Sequence, residues 1–184
     1  MVDRGGTLAA DDADGRAGLG LTRPLAVFDI DGVLADVRHR LRHVERSPGD
    51  PTPKNWDAFF AAAPDDPPLP TGVSLARDSA GECDISYVTG RPERCRADTL
   101  AWFSRHDLPI GTLSMRGARD RRPARIAKLA LLRQLAWGRV VAVVVDDDLQ
   151  VCQAYEAAGY PVLRADWMVS TPALRQAQED DGRT

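Results

Sequence analysis

Phe28-Asp29-Ile30-Asp31-Gly32 closes the apolar run Leu25 to Ile30, and the period of two in a strand sets Asp29 and Asp31 on one side, where Gly32 lets the chain turn. Carboxylates this close repel, so the pair points to a bound cation or to one carboxyl with a raised pKa. By itself the same string is also an acidic turn before a glycine. A second acidic group, Asp146-Asp147-Asp148, follows the apolar run Val140 to Val145. If both runs are central parallel strands, these carboxylates meet at one sheet edge, the edge at which open α/β sheets bind ligands. An oxygen-rich site of this kind suits Mg²⁺, which makes Asp29, Asp31, Asp146 and Asp147 the candidate metal residues. Asp148 is expected to cap a helix starting near Leu149. In Tyr87-Val88-Thr89-Gly90-Arg91-Pro92, a hydroxyl, a glycine and a guanidinium sit where a strand gives way to a helix, so Thr89, Gly90 and Arg91 form a candidate anion site, although such a turn is common. Lys128 lies in a helix-forming stretch behind a basic loop; a lone lysine is usually solvated surface.

Positioning these groups requires strands that end together. Leu25 to Ile30, Ile85 to Val88, Ile110 to Met115, Val140 to Val145 and Pro161 to Leu163 are expected strands, alternating with helical patterns. Three helices are expected: Pro92 to about His106, the segment after Pro123 with Ile126, Leu129, Leu132 and Ala136, and the segment Val151, Ala154, Tyr155, Ala158 closed by Gly159. The alternation predicts an α/β fold with a mainly parallel sheet covered on both faces. The stretch between the first two strands exceeds a plain crossover. There Leu34, Val37, Leu41 and Val44 are spaced for an amphipathic helix, Trp56 to Ala63 for a short second one, and Pro64 to Pro70 reads as a turn region. This insert is expected to form a small cover over the strand ends.

A length of 184 residues with 43% hydrophobic and 28% charged residues suits one folded domain, expected over 23–174, with polar tails at 1–22 and 175–184. The net charge of −3 resides in those tails, and no domain-wide basic field exists to hold long nucleic acid. Local arginine clusters occur at Arg38 to Arg46 and Arg116 to Arg133. No apolar stretch approaches the roughly 20 residues that span a bilayer. Without a signal-like start, and with cysteines only at 83, 95 and 152 in no metal spacing, a cytoplasmic protein with free thiols is expected.

The order of Asp-x-Asp-Gly, Thr-Gly-Arg, lysine and acidic cluster over Pro24 to Trp167 resembles the haloacid dehalogenase (HAD) superfamily of phosphotransferases. The resemblance implies a Rossmannoid three-layer sandwich and Mg²⁺. It also implies Asp29 as nucleophile, Asp31 as general acid and base, Thr89 and Lys128 as holders of the transferring phosphate, and Asp146 with Asp147 as the acidic metal motif. Within the superfamily, Trp56-Asp57-Ala58-Phe59, Thr89 to Glu93, Met115-Arg116 and Asp120 to Lys128 resemble the 3′-phosphatase domain of polynucleotide kinase and its stand-alone bacterial relatives. That resemblance implies substrate contacts by Arg91 and by Arg40, or else Arg38, and a phosphomonoester substrate on nucleic-acid 3′ ends or nucleotides. The relatives tend to carry an acid four residues before the lysine, where this chain has Ala124, which leaves Asp120 as the candidate to orient Lys128. No P-loop occurs, so a kinase half is not expected in this chain.

Three other readings stand beside this one. A phosphatase of a small metabolite fits the same core. A signalling receiver shares the residue types, but there the lysine follows the phosphorylated aspartate, whereas Lys128 precedes Asp146. A non-catalytic phosphate-binding domain is the reading that Ala124 suggests.

Overall fold

Leu25–Phe28 is apolar at every position, the pattern of a strand covered on both faces. In the computed structural model, which describes residues 22–47 and 52–168, it forms β1 with all four side chains buried. The first crossover carries α1 (Trp56–Ala61) and α2 (Pro70–Ser79); β2 (Asp84–Pro92), α3 (Arg96–Arg105), β3 (Gly111–Arg116), α4 (Ala124–Leu135), β4 (Val141–Asp146), α5 (Leu149–Ala157) and β5 (Val162–Arg164) follow. The strands make one sheet in the order β3-β2-β1-β4-β5, with every neighbouring pair parallel. All five expected strands form, and the α/β three-layer architecture stands.

Side chains alternate across the sheet. Ala26 and Phe28 enter a core with Tyr87, Trp102, Phe103 and the insert residues Trp56 and Phe59. Leu25 and Val27 enter the opposite core with Leu132, Val151 and Tyr155 of α4 and α5. Each large apolar side chain so covered contributes about 1.5–3 kcal/mol. Phe28 pairs with Tyr87 on one neighbour and Val145 on the other, so Asp29, Thr89 and Asp146 emerge at one edge.

The insert departs from expectation. Leu34, Val37, Leu41 and Val44 are all buried, yet only Arg38–His43 coils, as a 3₁₀ turn. The backbone before it is already engaged: the amide of Ala35 donates to Ile30 and that of Asp36 to Pro67, which holds this segment out of a helix. Pro64 to Pro70 is not wholly a turn region, because Pro70 opens α2, whose Val73 and Ala76 are buried. Proline suits the first helical turn, where no amide partner is needed. Pro92, in contrast, ends β2 opposite Arg116, and α3 starts only at Arg96. On α4, Ile126 is 45% exposed, while Ala124, Ala127, Lys128 and Leu132 face inward; the small alanines make room for a buried lysine.

The three cysteines are free. Among the described residues, no helix is long and apolar enough to cross a membrane. The expected tails 1–22 and 175–184 lie outside the described residues apart from Thr22, as does the expected boundary after residue 174.

Candidate active site

Two buried charge clusters face each other across the C-terminal edge of the sheet. In the first, the Lys128 ammonium lies 2.9 Å from Asp29 Oδ2 and 3.0 Å from Asp146 Oδ2. Asp29 leaves β1 with its amide donating to Val145, and Asp146 is the last residue of β4, so pairing of two central strands sets both carboxylates. Asp147 completes the group: one carboxylate oxygen each from Asp29, Asp146 and Asp147 lies within 4.8 Å of the others. Asp148 caps α5 as expected, accepting from the amides of Gln150 and Val151 at 2.8 and 3.3 Å.

One ammonium does not balance three buried carboxylates. Burial pushes the Asp29 carboxyl up to about 7, with Lys128 opposing and Asp146 and Asp31 adding to the rise. Asp147 is pushed well above the usual carboxylate range by burial and then by its acidic neighbours. Asp29 Oδ1 and Asp147 Oδ1 are buried without a hydrogen-bond partner. Three converging carboxylates, two of them with an unmatched oxygen, are the donor set a hard divalent cation takes. A cation fits here, and Asp29, Asp146 and Asp147 would hold it.

The second cluster surrounds Asp31. Arg40 donates to Asp31 Oδ1 at 2.7 Å, and Arg91 donates to the same oxygen through Nε at 2.8 Å and Nη2 at 2.6 Å. Burial alone would raise this carboxyl, but the two guanidinium groups outweigh it and bring Asp31 down to about 2. Both arginines also grip Asp66: Arg40 at 2.9 Å to each carboxylate oxygen, Arg91 at 2.8 Å to Oδ2, with His39 completing the set at 2.8 Å. The Asp66 carbonyl accepts from the Trp102 indole at 2.8 Å, and Arg40 stacks 4.2 Å above Phe59. Thr89 lies between the clusters, its hydroxyl accepting from the Arg91 amide at 3.2 Å, with Gly90 beside it.

The structure therefore brings Asp29, Asp31, Thr89, Gly90, Arg91, Lys128, Asp146 and Asp147 to one edge. It separates roles that the sequence left merged. The Asp31 side chain joins the arginines, and the three-carboxylate group consists of Asp29, Asp146 and Asp147. Arg40 is fully buried against Asp31 and Asp66, whereas Arg38 is an outer residue paired with Asp36 at 2.5 Å. Asp120 does not orient Lys128; it binds Arg122 at 2.6 Å, and Asp29 and Asp146 hold the lysine instead. Ala124 is buried in the apolar core beside α5. Asp66 is the residue that sequence reasoning missed: an Asp65-Asp66 pair among prolines carries no motif.

Gly32 fits the chain under the acidic group. Its φ is +84°, and a Cβ there would lie 2.4 Å from Asp147 Oδ2. Gly32→Ala is expected to lose about 1–2 kcal/mol from the left-handed backbone alone and to displace Asp147 as well. Thermal unfolding with and without Mg²⁺ checks this: the variant melts lower and gains less from the ion. An unchanged melting temperature would refute the strain at Gly32.

The site can be set beside known proteins. The fold is shared with HAD-superfamily structures. A hydrolase of the haloacid dehalogenase-like family from Streptococcus pneumoniae has a TM-score of 0.57 at 11% identity, over 85% of this chain and 90% of that one. A putative phosphoglycolate phosphatase from Lactobacillus plantarum has 0.57 at 17%, over 84% and 92%. A chain of the Pnkp1/Rnl/Hen1 RNA repair complex has 0.62 at 19%, over 86% of this chain and 45% of that one. The present chain thus spans about half of the chains it matches in that complex. Among curated proteins, none matches it in sequence. The fold, together with a family-model match over most of the chain, makes this a HAD-superfamily phosphatase domain, a hydrolase of phosphomonoesters. Residues 24–167 match the family model of the polynucleotide kinase PNKP phosphatase domain, and the chain belongs to that family.

Proposed function

We propose that this domain is a Mg²⁺-dependent phosphomonoesterase that works through an aspartyl phosphate on Asp29 and takes 3′-phosphate ends of nucleic acid or nucleotides. The observation that carries the reading is Asp29 itself, a buried carboxylate at the end of the central strand, with Lys128 on one side and two further acids beside it. Family membership and the arginine-rich loop after β3 support the choice of substrate.

The chain's own residues account for both half-reactions. A carboxylate oxygen of Asp29 attacks phosphorus, the bond from phosphorus to the ester oxygen breaks, and Asp31 gives that oxygen a proton. Water then attacks the same phosphorus, Asp31 takes a proton back, and inorganic phosphate leaves with the Asp29 carboxylate restored. Splitting the reaction in two is covalent catalysis. Lys128 and the Thr89 hydroxyl hold the phosphoryl oxygens as charge shifts among them. With its carboxyl lowered to about 2, resting Asp31 is ionised and suited to the water step. For the first step Asp31 must take up a proton from solvent, which requires Arg40 and Arg91 to release its carboxylate. When bound by Asp29, Asp146 and Asp147, Mg²⁺ supplies positive charge that lets a carboxylate meet a dianionic phosphate.

Phosphate release from a 3′-phosphorylated oligonucleotide, a 3′-nucleotide, a 5′-nucleotide and an aryl phosphate, each with Mg²⁺ or after exhaustive chelation, tests the reading. The expected result is preference for the 3′-phosphates and loss of activity on chelation, restored by Mg²⁺. Turnover of the aryl phosphate alone would move the substrate to a small metabolite, and activity that survives chelation would remove the metal.

A further inference from the structure

Beside the catalytic edge, a cleft of about 230 Å³ opens between the insert and the loop after β3, lined by Phe60, Gly90, Pro92, Arg94, Arg116 and Arg121 among others. It touches the site through Gly90, the neighbour of Thr89. Its acids are already engaged: Asp57 accepts from Arg94 at 2.6 Å, and Asp120 is bound by Arg122. Arg94 spends only Nη2 on Asp57 and keeps most of its five N–H donors, and its guanidinium sits 5.6 Å from the ring centroid of the buried Phe60. Arg121 makes no hydrogen bond or ion pair among the described residues and is exposed at the cleft. The third arginine, Arg116, is held in place by donating to the Arg122 carbonyl at 3.0 Å.

We infer that this cleft binds the internucleotide phosphodiester next to the scissile 3′-phosphate, with Arg121 and Arg94 as the residues that recognise it, so that the preferred substrate is an oligonucleotide end rather than a mononucleotide. The inference rests on the nucleic-acid reading above. A phosphodiester is a singly charged group that needs N–H donors, and arginine forks supply them. The sugar and base on its far side meet Pro92 and the exposed plane of the Arg94 guanidinium, surfaces that accept any base, so the cleft selects for a chain and not for a sequence. The scissile phosphate, in contrast, enters the buried centre, where Arg91 and Lys128 are 1% exposed.

The test compares a dinucleotide 3′-phosphate, the same molecule with a neutral methylphosphonate linkage, a mononucleoside 3′-phosphate and an aryl phosphate. The expected result is a KM about tenfold lower for the charged dinucleotide than for the neutral one, about 1.4 kcal/mol. Arg121→Ala and Arg94→Ala are expected to erase most of that difference through KM, with a loss on the charged dinucleotide about tenfold larger than on the aryl phosphate. Equal turnover of charged and neutral dinucleotides, or equal losses on every substrate in the variants, overturns the cleft while the mononucleoside 3′-phosphate continues to support the nucleic-acid reading. Turnover of the aryl phosphate with none of any 3′-phosphate overturns both.

Discussion

Asp29→Asn is expected to lower phosphate release by on the order of 10⁴-fold or more while the protein stays folded. The amide cannot attack phosphorus, and what remains is binding and the field of Lys128. Stability is spared for a reason visible in the site. Burial pushes the Asp29 carboxyl up to about 7, so the metal-free protein at neutral pH already holds much of it in the neutral form that an amide imitates. Steady-state turnover, acid-quenched trapping of phosphorylated protein and a melting curve in chelator make the check. Turnover within about tenfold of the parent chain, or a trapped phosphoryl group on the variant, would remove Asp29 as nucleophile.

Asp66→Ala carries the largest expected cost to the fold, about 3–5 kcal/mol, because removing one partner of a buried network strands the charges that remain. Arg40 and Arg91 are 0% and 1% exposed, and without Asp66 they share one carboxylate, Asp31. The indole of Trp102 is bonded to the backbone of residue 66, so collapse of this loop would also disturb α3. Denaturant unfolding of parent and variant measures the loss. A midpoint that does not move would mean that the two arginines are solvated without Asp66, contrary to their burial.

The centre of the sheet was legible because its strands are short apolar runs that end in residues of special chemistry: Val140 to Val145 before three acids, Leu25 to Ile30 before Asp31-Gly32. Period and punctuation suffice for such elements. Lys128 became legible only through its order relative to the other motifs, since helical spacing alone places Ile126, not the lysine, on the inner face. The insert was hidden for a different reason. Its path is set by backbone bonds from Ala35 to Ile30 and from Asp36 to Pro67, contacts between distant segments that no local pattern announces. The partition of the four aspartates was equally hidden. Asp29 and Asp31 share a strand side, yet they belong to different ion networks because Arg40, Asp66 and Arg91 arrive from three other segments.

The parallel order β2-β1-β4 has a kinetic consequence. Antiparallel neighbours can be joined by a hairpin, but β1 must wait for β2 from mid-chain and β4 from near its end before Phe28 has both partners. Loop-closure entropy opposes such pairings until late, which makes sheets of this kind slow to fold. A species with β1 and β2 joined would hold Asp29 and Thr89 but lack Lys128, Asp146 and Asp147. No shorter assembly carries a working centre, so catalytic competence arrives all at once when β4 joins β1 and is lost in the same way.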